Sequence, residues 1–157
     1  MKVREVMVGT PMWCNLETNL GAAAEKFWNQ NCGILPVVDA QEKVIGVVTD
    51  RDICIALGTR SRLPGEITVG EVTAKKLYAC KPDDDIRAAL QTMGEMKVRR
   101  LPVINTTGKL EGILSMDDVV LHADARDPGL TFDDVVKTLK RLYRAELPEV
   151  QTKVARA

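Results

Sequence analysis

The chain has no surplus of either charge. Lys and Arg together number 22, as do Asp and Glu, so no global field draws it to nucleic acid or to an anionic membrane. It also lacks any stretch approaching the ~20 consecutive apolar residues that span a bilayer. The opening Met1-Lys2-Val3-Arg4-Glu5 puts an acid where a secretory signal would begin its apolar run, which predicts a cytoplasmic chain rather than an exported one. The four cysteines, Cys14, Cys32, Cys54 and Cys80, form no Cys-x-x-Cys pair, and His122 is the one histidine. A zinc site needs clustered ligands, and a secreted disulfide scaffold needs a smaller, cysteine-denser chain. Four buried, reduced thiols are therefore expected. A histidine with no acid or nucleophile beside it is no catalytic signal, and no nucleophile–base pair can be assembled. These absences argue against an enzyme and against any requirement for a metal.

What the chain does have is a repeat. Leu35-Pro36-Val37-Val38 and Leu101-Pro102-Val103-Ile104 lie 66 residues apart. The same offset pairs Val3 with Val69, Glu5 with Glu71, Cys14 with Cys80, Leu20 with Ile86, Gly46 with Gly112, Thr49 with Ser115 and Asp52 with Asp118. The chain is a tandem duplication, with units expected at 1–62 and 63–125 and a tail over 126–157.

Each copy follows one pattern. A short strand around Met12–Leu16 precedes a helix over Asn19–Asn31, with Leu20, Ala23, Ala24, Phe27 and Trp28 at helical spacing. Ile34–Val38 and Val44–Thr49 read as strands about a turn. A helix follows from Asp50 to about Leu57, closed by Gly58, and Thr59–Ile67 connects the copies. The second copy gives a helix over Asp85–Met96, strands at Leu101–Ile104 and Leu110–Leu114, and a helix over Met116–His122. The order is β-α-β-β-α, twice, an α+β fold. Each copy would expose an apolar sheet face, so the pair is expected to pack sheet to sheet about a pseudo-twofold axis, leaving two related clefts.

The segments Gly46-Val47-Val48-Thr49-Asp50-Arg51-Asp52 and Gly112-Ile113-Leu114-Ser115-Met116-Asp117-Asp118 each end a strand in a hydroxyl, begin a helix and place a carboxylate three residues on. That carboxylate can accept from the vicinal hydroxyls of a ribose, and the hydroxyl and helix N–H groups suit a phosphate oxygen. The same pattern is also a helix-capping box, in which both side chains serve the helix itself.

With its apolar-Pro-Val strand followed by Gly-x-x-Ser/Thr-x-x-Asp, each copy resembles a CBS domain, and the two together resemble a Bateman module. The resemblance covers about Val3 to Ala125. It implies a regulatory module that binds an adenosine-containing ligand between its repeats: AMP, ADP or ATP first, with S-adenosylmethionine and NAD as further candidates. It also implies a small stand-alone homodimer that signals to a regulated protein. In such pairs a pocket joins the Asp-bearing segment of one repeat to the residues before the apolar-Pro strand of the other. By that rule one site joins Val47, Thr49, Arg51 and Asp52 to Val98, Arg99 and Arg100, and the other joins Ile113, Ser115 and Asp118 to Cys32 and Gly33. The arginines make the first the expected phosphate binder, whereas the second is expected to lack local cations. The competing reading is a dimeric scaffold whose boxes cap helices and bind no nucleotide.

Trp13 and Tyr78 are expected in the core or at a rim rather than against a ligand. Met93 and Met96 sit at core spacing. In the tail, Thr131-Phe132-Asp133-Asp134 starts a helix that carries Val135, Val136, Leu139, Leu142 and Tyr143, with Lys137, Lys140, Arg141 and Arg144 in the same segment. It either packs on its own module or serves a dimer or a partner, and Pro148 is expected to end it.

Overall fold

The computed structural model describes residues 1–73 and 76–144. Its strands are β1 (Val8–Gly9), β2 (Cys14–Asn15), β3 (Leu35–Val38), β4 (Val44–Val48), β5 (Arg100–Ile104) and β6 (Leu110–Ser115). Its α-helices are α1 (Leu20–Gln30), α2 (Asp50–Arg60), α3 (Val69–Val72), α4 (Ile86–Met96), α5 (Met116–His122) and α6 (Phe132–Tyr143).

Local chemistry sets the boundaries. Asn19 accepts from the Ala22 N–H and starts α1, while Asp85, its repeat mate, accepts from the Arg87 N–H and starts α4. Both helices end on a left-handed residue, Asn31 at φ 46° and Lys97 at φ 55°. The apolar β3 is buried at every position and pairs antiparallel with β4, as β5 does with β6. The Asp39 and Asn105 side chains each accept two backbone N–H bonds and hold the intervening turns.

Several details differ from the sequence expectation. Helix α2 runs past Gly58 to Arg60 and ends on Ser61 at φ 48°. The extra turn is held because Arg60, and Arg62 just past it, both pair with Glu71 in α3. Trp28 is 86% exposed and Ala24 is also exposed, so only Leu20, Ala23 and Phe27 of the expected α1 stripe enter the core. Met93 is buried, but Met96 is exposed. The second copy's first strand shrinks to one parallel bridge, Cys80 to Val103. Cys14 and Cys80 are buried, and burial pushes their thiols up to about 11 and about 12. Cys32, however, is half-buried and Cys54 is exposed.

The pseudo-twofold shows in the backbone pairings. Bridges join Lys2 to Asp85 and Asn19 to Thr68, each the image of the other under the 66-residue shift. Lys43 bridges Lys109, its own repeat mate, so that contact lies on the axis. The copies also exchange their leading segments. Val3 and Val6 are buried in the second copy's core beside Ile86, Leu101 and Leu114. Ile67 and Val69 are buried in the first copy's core beside Leu20, Leu35 and Val48. Strand β1 pairs with β6, and the close approach requires Gly112, where an added Cβ would lie 2.8 Å from the Val8 carbonyl oxygen.

The tail helix α6 packs on α4. Thr131 caps it, and Arg87 grips Asp134 at 3.1 Å and 3.2 Å while donating to the Pro128 carbonyl. Leu130 and Val135 enter the second core, with Leu139 and Leu142 against it. Val136 and Tyr143 face outward with Lys137, Lys140 and Arg141. Pro148 lies outside the described residues.

Candidate functional site

Each repeat hands its helix over from a strand at a hydroxyl residue. Thr49 Oγ1 accepts from the Asp52 N–H at 3.2 Å and donates to Asp52 Oδ2 at 2.7 Å, and the Thr49 N–H donates to the same Oδ2 at 2.8 Å. Ser115 and Asp118 repeat the arrangement, with N–H bonds of 3.0 Å and 3.1 Å. The capping box is complete in both copies. Only Oδ2 is used, however. Oδ1 of Asp52 and of Asp118 accepts no hydrogen bond among the described residues. One carboxylate oxygen holds the helix start and the other is left for a second donor, so capping and ribose binding do not compete for the same atom.

Both boxes open into clefts between the repeats. A cavity of about 430 Å³ brings Val47, Thr49, Arg51 and Asp52 together with Val98, Arg99 and Arg100, all seven residues assigned to the first site from sequence. A cavity of about 310 Å³ brings Ile113, Ser115 and Asp118 together with Cys32 and Gly33, all five assigned to the second.

The expectation that the second cleft lacks a cation is overturned. Arg100 lines both clefts, and its guanidinium stands 3.7 Å from Asp117 in the second. The register explains this: Arg100 lies opposite Ser115 in the β5–β6 ladder, so its side chain emerges beside the second box. Burial raises the Cys32 thiol, the chief influence on it, while Arg100 acts the other way.

Sequence reasoning missed several lining residues. Asp50, Lys76, Tyr78 and Lys97 line the first cleft, and Thr10, Met12, Gln30 and Asp117 line the second. Tyr78 packs on the second core and carries Lys76 over its ring at 5.2 Å. Asp117 was legible: it is the repeat mate of Arg51, a charge reversal at matched positions. Lys76 and Tyr78 are the repeat mates of Thr10 and Met12, so the offset pairs the two linings, but all four lie outside the segments that carry the boxes. Among the described lining residues the first cleft holds Arg51, Lys76, Lys97, Arg99 and Arg100 against two acids. The second holds Arg100 against two acids.

A third Thr-x-x-Asp box, Thr131 to Asp134, shows what the motif does away from the clefts between the repeats. Its Asp134 Oδ2 is shared between the cap and Arg87. That pairing, helped by the Thr131 N–H, holds the carboxyl down at about 2. Trp13 is exposed at the rim of another cavity, with Lys26 5.8 Å from its ring. His122 Nδ1 lies 2.8 Å from the Asp118 carbonyl oxygen, within its own helix. Among the described residues no three His, Cys, Asp or Glu side chains gather as a metal site, and no helix is long and apolar enough to cross a membrane.

Comparison with known proteins gives a consistent picture. The family described as "CBS domain" matches residues 3–59 and 69–124. Uncharacterized protein MK0525 of Methanopyrus kandleri is 26% identical over 117 residues, which is 74% of this chain but 57% of that protein. Uncharacterized protein YlbB of Bacillus subtilis is 30% identical over 127 residues, 80% of this chain and 84% of the relative. Among solved structures, Hypoxic Response Protein I with two coordinated zinc ions superposes with a TM-score of 0.72 at 29% identity, covering 79% of this chain and all of that one. CBSX2 in complex with AMP gives 0.67 at 26% identity, over 76% and 93%. The CBS domain pair of MJ0100, in complex with 5-methylthioadenosine and S-adenosyl-L-methionine, gives 0.70 at 21% identity, over 77% and 94%, a likeness of fold.

Proposed function

The chain belongs to the CBS-domain family as a pair of such domains, and from that premise we propose that it is a non-catalytic, cytoplasmic regulatory module. It binds an adenosine-containing ligand in the Thr49/Asp52 cleft and signals to a partner protein. The observation that carries this is the spare Asp52 Oδ1 in a cleft lined by Arg51, Arg99 and Arg100. The carboxylate accepts from the ribose hydroxyls and the guanidinium groups oppose the phosphate. CBSX2 with AMP and the MJ0100 pair with its adenosyl ligands show that this fold accommodates such compounds. AMP, ADP and ATP fit the cationic cleft best, with NAD and S-adenosylmethionine as further candidates. Thermal unfolding of the purified protein with each compound tests the reading. A ligand at a hundred times its dissociation constant adds ~2.7 kcal/mol to folding. If none of the five moves the transition, the reading fails.

A second reading, a scaffold that binds no nucleotide, draws on the completeness of both capping boxes without a ligand. In either case we expect a homodimer, because Trp28, Ile55, Val120 and Leu121 leave large apolar side chains exposed on α1, α2 and α5. Light scattering that gives a monomer at micromolar concentration would count against it.

A further inference from the structure

Besides Gly33, two residues line both clefts and supply the side chains of the wall between them, Ile34 and Arg100. They are repeat mates under the 66-residue shift, so the duplication puts an apolar residue at one of the two equivalent positions and a cation at the other. The guanidinium has a defined seat. A Cβ at Gly33 would lie 3.1 Å from its Nη1, so the absence of a side chain there makes room for it. From this seat it faces Asp117 at 3.7 Å, beside Ser115 and Asp118, while Val98 and Arg99, just before β5, line the first cleft.

Resting on the nucleotide-binding reading above, we propose that Arg100 makes the two clefts compete for anionic ligands, so that a phosphorylated ligand in one weakens the binding of a phosphorylated ligand in the other. One guanidinium carries one positive charge. A phosphate in the first cleft draws and neutralises it, and the second cleft is left with Asp117 and Asp118 unopposed. An uncharged nucleoside makes no such demand, so two adenosine molecules bind independently. The coupling is a property of the charge and not of the shape of the cleft.

Titration calorimetry on the full chain tests this with AMP and adenosine as probes. The affinity of the second cleft is measured in wild type, where the first cleft fills first, and in Asp52→Ala, where the first cleft is weakened roughly ten- to hundredfold. Asp52→Asn replaces it if the alanine variant does not fold, since the asparagine amide oxygen still accepts from the Thr49 N–H. AMP should bind the second cleft about five- to tenfold more weakly in wild type than in the variant, the lower part of the usual range for coupled sites. Adenosine should show no difference, and Arg100→Gln should remove the difference for AMP. Equal AMP constants in wild type and Asp52→Ala overturn the proposal, as does a difference that survives Arg100→Gln. If wild type binds one AMP and Asp52→Ala binds none, the coupling is overturned while the first-cleft reading stands. If wild type binds neither probe, both fall.

Discussion

The two clefts share a backbone but differ in charge. Each is built from a strand, a hydroxyl, a helix start and a carboxylate with one spare oxygen. Among the described residues around that common frame, the first cleft gathers five cations, Arg100 included, and the second has Arg100 alone, already facing Asp117. The frame is preserved because it caps a helix, a need that exists with or without a ligand. The lining is free to diverge because Arg51 and Asp117, at matched positions, are both exposed. Duplication therefore yields two sites of one geometry whose preferences are set at the rim.

The strongest way to break the comparison is to remove the carboxylates one at a time. Asp52→Ala should lower AMP affinity at the first cleft ten- to hundredfold, the worth of a charge-assisted bond at ~1.5–3 kcal/mol. It should also lower the stability of the ligand-free protein by ~0.5–2 kcal/mol, because the same residue caps α2. Asp118→Ala should cause the second loss without the first. Calorimetry together with urea unfolding reads both. If Asp52→Ala destabilises the protein and leaves affinity unchanged, the box is a cap alone.

A smaller effect separates phosphate from nucleoside. Arg99→Gln should weaken ATP at the first cleft roughly tenfold and leave adenosine within error, as competition titration would show. Equal losses for both compounds would mean that Arg99 shapes the cleft rather than opposing a charge.

The third box supplies a control that involves no ligand. Asp134 sits at about 2, below its ordinary 3.8, chiefly through Arg87. A depressed carboxyl contributes stability that is present above its unfolded value and is lost as the pH falls through its folded value. Urea unfolding between pH 5 and about pH 2 should therefore show a shallower acid loss in Asp134→Asn than in wild type, with unchanged nucleotide affinity. An acid profile identical to wild type would remove Arg87 as the anchor of α6.

The mildest test uses the thiols. Cys54 should react first with a maleimide, Cys32 more slowly, and Cys14 and Cys80 only on unfolding, since burial keeps the last two protonated. Ligand in the second cleft should slow Cys32 and leave Cys54 untouched. Mass spectrometry of the labelled peptides decides it.

Much of this was legible in the sequence because the 66-residue offset carries both pattern and position. The β-α-β-β-α order and the boxes follow from it, and the grouping of twelve residues into two clefts follows from the resemblance to a CBS pair. The offset is blind to other things. It shows Val3 and Val69 as equivalent but not which core each enters, since the same apolar residue suits either. Hydrophobic spacing could not show that Trp28 faces outward, because a stripe one residue wider reads the same. The Gly58 stop was misplaced because the ion pairs that extend α2 come from Glu71, beyond the helix. The reach of Arg100 into the second cleft depends on strand register, which no local motif encodes.

The exchange of leading segments bears on how the chain acquires its structure. Val3 donates to the Asp84 carbonyl and Lys2 pairs with Asp83, contacts closed across about half the chain, and each core takes residues from the other copy. Contacts of such sequence separation slow folding, because their loops must close before any burial rewards them. A nascent chain can complete its first core only once Ile67 and Val69, from the second copy's leading segment, have been made. If the chain were cut between residues 62 and 63, each fragment would lack part of its core and neither should fold alone, but mixing them should restore the native fold by complementation.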